Sequence, residues 1–129
     1  MSENKSKKYS ACLPTFGTCA DRYCLTGYGG GGNSLEELFD LAKTVDGLKG
    51  IELVGNWHIN DQNMPAIKKI LQDRDLEVSM VTPDLWTQAK WGKGSLASKD
   101  KKTRKDAVKE VQKSMDWAAE LGCSYVDVW

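Results

Sequence analysis

Residues 50–56 read Gly-Ile-Glu-Leu-Val-Gly-Asn. A short apolar run closed by glycines at both ends is the pattern of a buried strand, since a helix needs a longer stretch with a 3.6-residue period. Upstream, Ser34-Leu-Glu-Glu37 places Ser at a helix N-cap and Glu three residues on, a capping box. Leu35, Leu38, Phe39, Ala42 and Val45 then recur at helical spacing until Asp46-Gly47 stops the run. Downstream, Asp61 or Asn63 can cap a second helix, with Pro65 in its first turn and Ala66, Ile67, Ile70 and Leu71 on its inner face. Leu76 to Pro83 is a further strand rich in β-branched residues. A long helix is predicted from about Asp100 to Leu121, striped by Ala107, Val108, Val111, Met115, Ala118 and Ala119, with Gly122 as its C′ residue. A strand from Tyr9 that ends near Pro14 precedes all of this, and Ser124 to Trp129 reads as a fourth strand. Strands and helices alternate throughout, which predicts an α/β fold of right-handed βαβ units around a parallel sheet.

Composition narrows the function. Among 129 residues, 18 basic side chains balance 18 acidic ones, so no global field attracts nucleic acid or an anionic membrane. Seven basic residues fall between Lys99 and Lys113, but opposite the apolar stripe, where a solvated helix face is expected. No apolar run is long enough for a membrane span, and the polar start MSENKSKKYS lacks the apolar stretch of a secretory signal. Residues 1–8 read as a flexible N-terminus. Cys12, Cys19, Cys24 and Cys123 contain no C-x-x-C pair and read as free thiols, so a cytoplasmic protein is expected. The Gly29–Gly32 run lacks the lysine of a phosphate loop and reads as a flexible connection.

Chemistry in a parallel α/β fold gathers at the C-terminal ends of the strands. The segments there carry Phe16, Trp57, Thr82, Trp86 and Trp129, an aromatic wall with polar groups that suits a sugar. His58, the single histidine, is the natural proton carrier, and Asp61 three residues on is placed to orient it. The plainer alternative is a histidine satisfied in the core or lying on the surface. Glu52 is a carboxylate inside an apolar strand, opposite in face to Ile51 and Leu53. It is read either as part of a structural ion pair or as a group of the substrate or metal shell.

Gly50-Ile51-Glu52 after a capped helix, and Glu120 to Trp129 (ELGCSYVDVW) as a helix end feeding a fourth strand, resemble the xylose isomerase-like TIM barrel family. His58-Ile59-Asn60-Asp61 is similar to the H-x-x-D of xylose isomerases, whose His–Asp pair assists sugar ring opening. The resemblance implies that residues 9–129 form the N-terminal half of a (β/α)8 TIM barrel. It further implies a divalent metal (Mn, Mg, Co or Zn) and isomerisation or epimerisation of a small sugar or keto-sugar by proton or hydride transfer. The family's metal ligands come from strands five to eight, so no metal ligand is expected in this chain. The implied partners are a sugar and the remaining half of the barrel or another chain, with homo-oligomerisation open, and the fragment alone is expected to be inactive. Neighbouring readings are a metal-dependent lyase, dehydratase or C-glycoside-cleaving subunit of the same superfamily. The endonuclease branch fits poorly with a single histidine. A small flavodoxin-like binding module is the non-catalytic alternative, although Pro14-Thr15-Phe16 lacks the acidic cluster of a receiver domain.

Overall fold

A computed structural model gives the fold of residues 8–17 and 32–128. Residues 1–7 of the expected flexible N-terminus (1–8), Gly29–Gly31 of the run Gly29–Gly32, Cys19, Cys24 and Trp129 lie outside the described residues.

Three strands, β1 (Tyr9–Cys12), β2 (Leu48–Val54) and β3 (Glu77–Thr82), form a sheet in the order β1-β2-β3, and both pairings are parallel. The helices α1 (Leu35–Lys43), α2 (Met64–Asp73) and α3 (Lys101–Glu120) alternate with them. The expected fourth strand is present beside β3 as one parallel bridge, Val81 to Val126. There the Val81 N–H donates to the Tyr125 carbonyl and the Asp127 N–H donates to the Val81 carbonyl, both at 3.1 Å. The architecture is α/β, as the alternation predicted, and is consistent with the N-terminal part of a TIM barrel, as the resemblance implied.

Local chemistry sets the helix ends. The Ser34 hydroxyl accepts from the Glu37 N–H at 3.3 Å while the Glu37 carboxylate takes the Ser34 N–H at 2.6 Å, completing the capping box. Asp100 caps α3 by accepting from the Thr103 N–H at 2.7 Å, and Gly122 follows the helix at φ +71, a left-handed conformation that costs glycine little.

Four expectations need correction. The first strand stops at Cys12, and Leu13–Phe16 forms a 3-10 turn with Pro14 near its start, because proline fixes φ and removes a ladder donor. Val45 falls beyond the end of α1 and is exposed. In α2, Met64 is buried in place of Ala66, which faces solvent. In α3 the buried stripe is Ala107, Ser114, Trp117 and Ala118; Val108 and Met115 are about half exposed. The helix is rotated from the apolar reading because the indole of Trp117 buries more surface than the smaller side chains it displaces.

The sheet's two faces differ in kind. Ile51, Leu53, Val78 and Val81 point to the helices and are buried in one core with Phe39 and Ala42 of α1, Ile67, Ile70 and Leu71 of α2, and Trp117 and Ala118 of α3. The opposite face carries Ser10, Gly50, Ser79, Glu52 and Thr82, together with the apolar Val54 and Met80. The registered pairs keep their faces together, Ile51 with Val78 and Leu53 with Val81, across a register shift between Ile51 and Glu52 that accommodates Ser79. On that face the Ser10 and Ser79 hydroxyls are hydrogen-bonded to each other. A methyl on Gly50 would lie 2.9 Å from the Ser10 side chain, which explains why glycine stands between the two serines.

Candidate functional site

The site begins where β2 stops. The Gly55 N–H donates to the Thr82 carbonyl on the β3 side, so the Val54 N–H, one residue earlier, points to the other edge. There β1 has already turned away after Cys12. The imidazole of His58 takes the strand's place: Val54 N–H donates to His58 Nδ1 at 2.9 Å, and the Val54 carbonyl accepts from the His58 N–H at 2.8 Å. His58 is buried, and burial lowers its pKa to about 4, so the ring is neutral near pH 7. With Nδ1 accepting, the ring proton sits on Nε2, which is buried and has no hydrogen-bond partner among the described residues.

The expected His58–Asp61 pair is not formed, and this corrects the sequence reading. Asp61 Oδ1 instead accepts from the indole Nε1–H of Trp117 at 2.8 Å and from Lys113 Nζ at 2.7 Å. The Lys113 hydrogen bond, then that of Trp117, holds the Asp61 carboxyl below its ordinary range. Tight-turn proximity in sequence brought the two residues close along the chain, but the turn directs the carboxylate outward to α3. Asn63, expected as a capping side chain, serves the turn instead. Its Oδ1 accepts from the Asn60 N–H at 2.8 Å, and its Nδ2 donates to the His58 carbonyl at 2.9 Å. Asn60 Oδ1 in turn accepts from the N–H groups of Gln62 and Asn63.

The loop after β3 is organised by Asp84. Its buried carboxylate accepts from the backbone N–H groups of Trp86 (3.3 Å) and Thr87 (2.9 Å), from Gln88 Nε2 (3.1 Å) and from the Thr87 hydroxyl. Four donors satisfy a charge that would otherwise be costly to bury. Between this loop, the turn after β2 and α3 lies an open cleft of about 570 Å³, lined by Asn56, Trp57, Asp84, Thr87, Gln88, Lys90 and Glu110. Glu110 accepts from Asn56 Nδ2 on one wall and lies 3.7 Å from Lys90 Nζ on the other. Trp57 stacks on His58 with centroids 4.8 Å apart.

Of the sequence-predicted substrate residues, Trp57 reaches the cleft. Thr82 is buried one step below the rim, where its hydroxyl donates to Glu52 Oε1 at 2.7 Å. Glu52 is thus hydrogen-bonded to a neutral hydroxyl on the inner face, where the sequence reading offered a structural ion pair or a place in the substrate or metal shell. Phe16 packs against the hydrophobic core, Trp86 is half-buried in the loop after β3, and Trp129 lies outside the described residues. Asn56, Thr87, Gln88, Lys90 and Glu110 were missed. The signal for Asn56 was its place after Gly55, since a turn there needs a left-handed residue and Asn56 has φ +59. Glu110 carried no signal, being one charge among many on a charged helix.

Among the described residues no group of three His, Cys, Asp or Glu side chains lies close enough to hold a metal ion. The donors nearest the rim are engaged as well: Asp84 by four donors, His58 Nδ1 by a backbone N–H. The residues described here therefore do not fit a resident divalent metal. No helix among them is long and apolar enough to cross a membrane.

Residues 32–129 match the family described as xylose isomerase-like TIM barrel. The xylose isomerase of Thermus thermophilus is 35% identical over 69 residues, a stretch that covers 54% of this chain and 18% of that enzyme. The parallel sheet and its alternating helices agree with that match, and the chain belongs to the xylose isomerase-like TIM barrel family.

Proposed function

We propose that this chain is part of a sugar isomerase or epimerase-like enzyme that acts on a small sugar or keto-sugar by proton or hydride transfer. The observation that carries the reading is the cleft at the strand ends, where one indole face, Trp57, stands among the amides of Asn56 and Gln88, the Thr87 hydroxyl and the Glu110 carboxylate. A sugar presents C–H faces that stack on an aromatic ring and hydroxyls that need both donors and acceptors. Glu52, held by Thr82 on the inner face, supplies a carboxylate to orient a substrate hydroxyl. His58 is assigned a supporting part: neutral and bonded to the end of β2, it sets the position of Trp57 and transfers no proton to or from the substrate. The divalent metal of the family belongs to the proposal as a property of the assembled enzyme, with ligands outside the described residues.

The test is an assay of the full-length protein on a panel of aldoses and ketoses with Mn²⁺, Mg²⁺, Co²⁺ or Zn²⁺, followed by carbohydrate NMR. Aldose–ketose or epimer interconversion that stops with a chelator is expected, and Glu52→Gln is expected to lower kcat/KM at least about tenfold. Water loss or C–C or C-glycoside cleavage in the same assay would replace the isomerase reading with the lyase one. No conversion of any sugar with any of the four metals would overturn it.

A further inference from the structure

We infer that Trp117 of α3 is a positioning residue for the cleft, acting through the turn between β2 and α2. Glu110, Lys113 and Trp117 recur at i, i+3 and i+7 on one helix face, and all three reach this turn. Trp117 is 3% exposed, and its ring lies so close to the backbone that a methyl on Gly55 would sit 2.8 Å from it. Its Nε1–H then donates to Asp61 Oδ1 at 2.8 Å, six residues further along the same turn. One side chain therefore holds both ends of residues 55–61, with Lys113 sharing the Asp61 oxygen and Glu110 fixing Asn56 in between. Asn56 and Trp57, which line the cleft, are carried on the stretch so held.

A residue needed only to fill the core has no use for an indole donor. Phenylalanine would occupy much of the same space, and Asp61, whose side chain is 58% exposed, would need no partner to remain solvated. The selection of Trp at this place is explained by the hydrogen bond it delivers across 56 residues of sequence.

The inference rests on the reading that the cleft receives the substrate, and its test separates the two. In the full-length protein, Trp117→Phe removes the N–H and keeps a ring, Asp61→Ala removes the acceptor from an exposed position, and Asp61→Asn keeps an acceptor for the indole. Amide exchange at Asn56, Asn60, Gln62 and Asn63 is measured beside sugar turnover. Trp117→Phe and Asp61→Ala are each expected to speed exchange at these four amides about tenfold, the scale of one lost hydrogen bond to a charged group. KM is expected to rise about three- to tenfold with kcat within about twofold, and Asp61→Asn is expected to restore both. If Trp117→Phe fails to fold, Asp61→Ala decides. Exchange in the turn that is unchanged in Asp61→Ala, or that Asp61→Asn fails to rescue, overturns the inference. If the wild type turns over no sugar, the exchange data still decide the role of Trp117 while the proposed function fails.

Discussion

The two faces of one three-stranded sheet have been given to different tasks. Facing the helices, Ile51, Leu53 and Val81 are wholly buried, each in contact with a core drawn from α1, α2 and α3. Facing the other way, the same strands present two serines around a glycine and a glutamate bonded to a threonine, with Val54 and Met80 as the apolar members. An apolar side chain on the first face contributes through area removed from water, at about 25 cal/mol per Å². A polar one on the second face contributes little net stability, because its hydrogen bonds replace equally good ones to water. The fold is therefore held mainly from outside the sheet, and the proposed function places its chemistry on the inner face and C-terminal rim. That division is quantitative and can be broken by experiment.

The largest effect belongs to the helix-facing side. Leu53→Ala deletes a fully buried side chain near the C-terminal end of β2 and is expected to cost about 2–5 kcal/mol, the range for cavities in cores that relax only in part. Urea denaturation of the full-length protein would read it as a lower midpoint with an unchanged slope. A cost under about 1 kcal/mol would mean that the core is not where the stability lies.

Next comes His58, which sits at the boundary of the two regions. Its folded pKa of about 4 lies below the ordinary histidine value of 6.5, and burial is the cause. The unfolded chain therefore binds the proton more readily than the folded one between these values, and stability rises with pH across that window. As pH falls from about 6.5 to 4, His58 should withdraw on the order of 3 kcal/mol, and below 4 its contribution is flat. His58→Asn should remove that slope while lowering stability at neutral pH, since the Val54 N–H loses the imidazole acceptor. Denaturation at pH 5 and pH 7.5 compares the two proteins directly. A slope that persists in the variant would show that another group titrates.

What the sequence disclosed, and what it withheld, divides along the same line. Capping at Ser34, the stop at Gly122 and the apolar runs of β2 and β3 were legible because each is a local contract between neighbours in the chain. The rotation of α3 was not. Val108 and Met115 are as apolar as any core residue, and only contact with Gly55 and Asp61 reveals that Ser114 and Trp117 face inward. His58 was found as a residue, and its partner was misread. Its strand-end position was visible, but its partner is the Val54 N–H that β1 abandoned, and its expected partner Asp61 is claimed from 56 residues away. Likewise Glu52 was singled out as an outlier, while the Thr82 hydroxyl that holds it lies on another strand. Side-chain partnership across elements is set by packing, which a single strand's pattern does not encode.

The smallest expected change in stability is also the sharpest test of the comparison. Thr82→Val keeps shape and burial on β3 but deletes the hydroxyl that donates to Glu52. Because Glu52 is only partly buried on the inner face, water can replace the lost donor, and the stability change should stay within about 1 kcal/mol. The carboxylate, however, loses the bond that fixes its direction, and a misdirected group at a reacting centre costs rate far out of proportion to its worth in folding. The expected result is a denaturation midpoint close to wild type together with a fall in kcat/KM of about tenfold, the reverse of what Leu53→Ala should give. If Thr82→Val instead unfolds the protein as Leu53→Ala does, the inner face contributes to the core and the division between the two faces fails. If both its stability and its turnover match the wild type, Glu52 is held by something other than Thr82, and the inner face loses its claim to the chemistry.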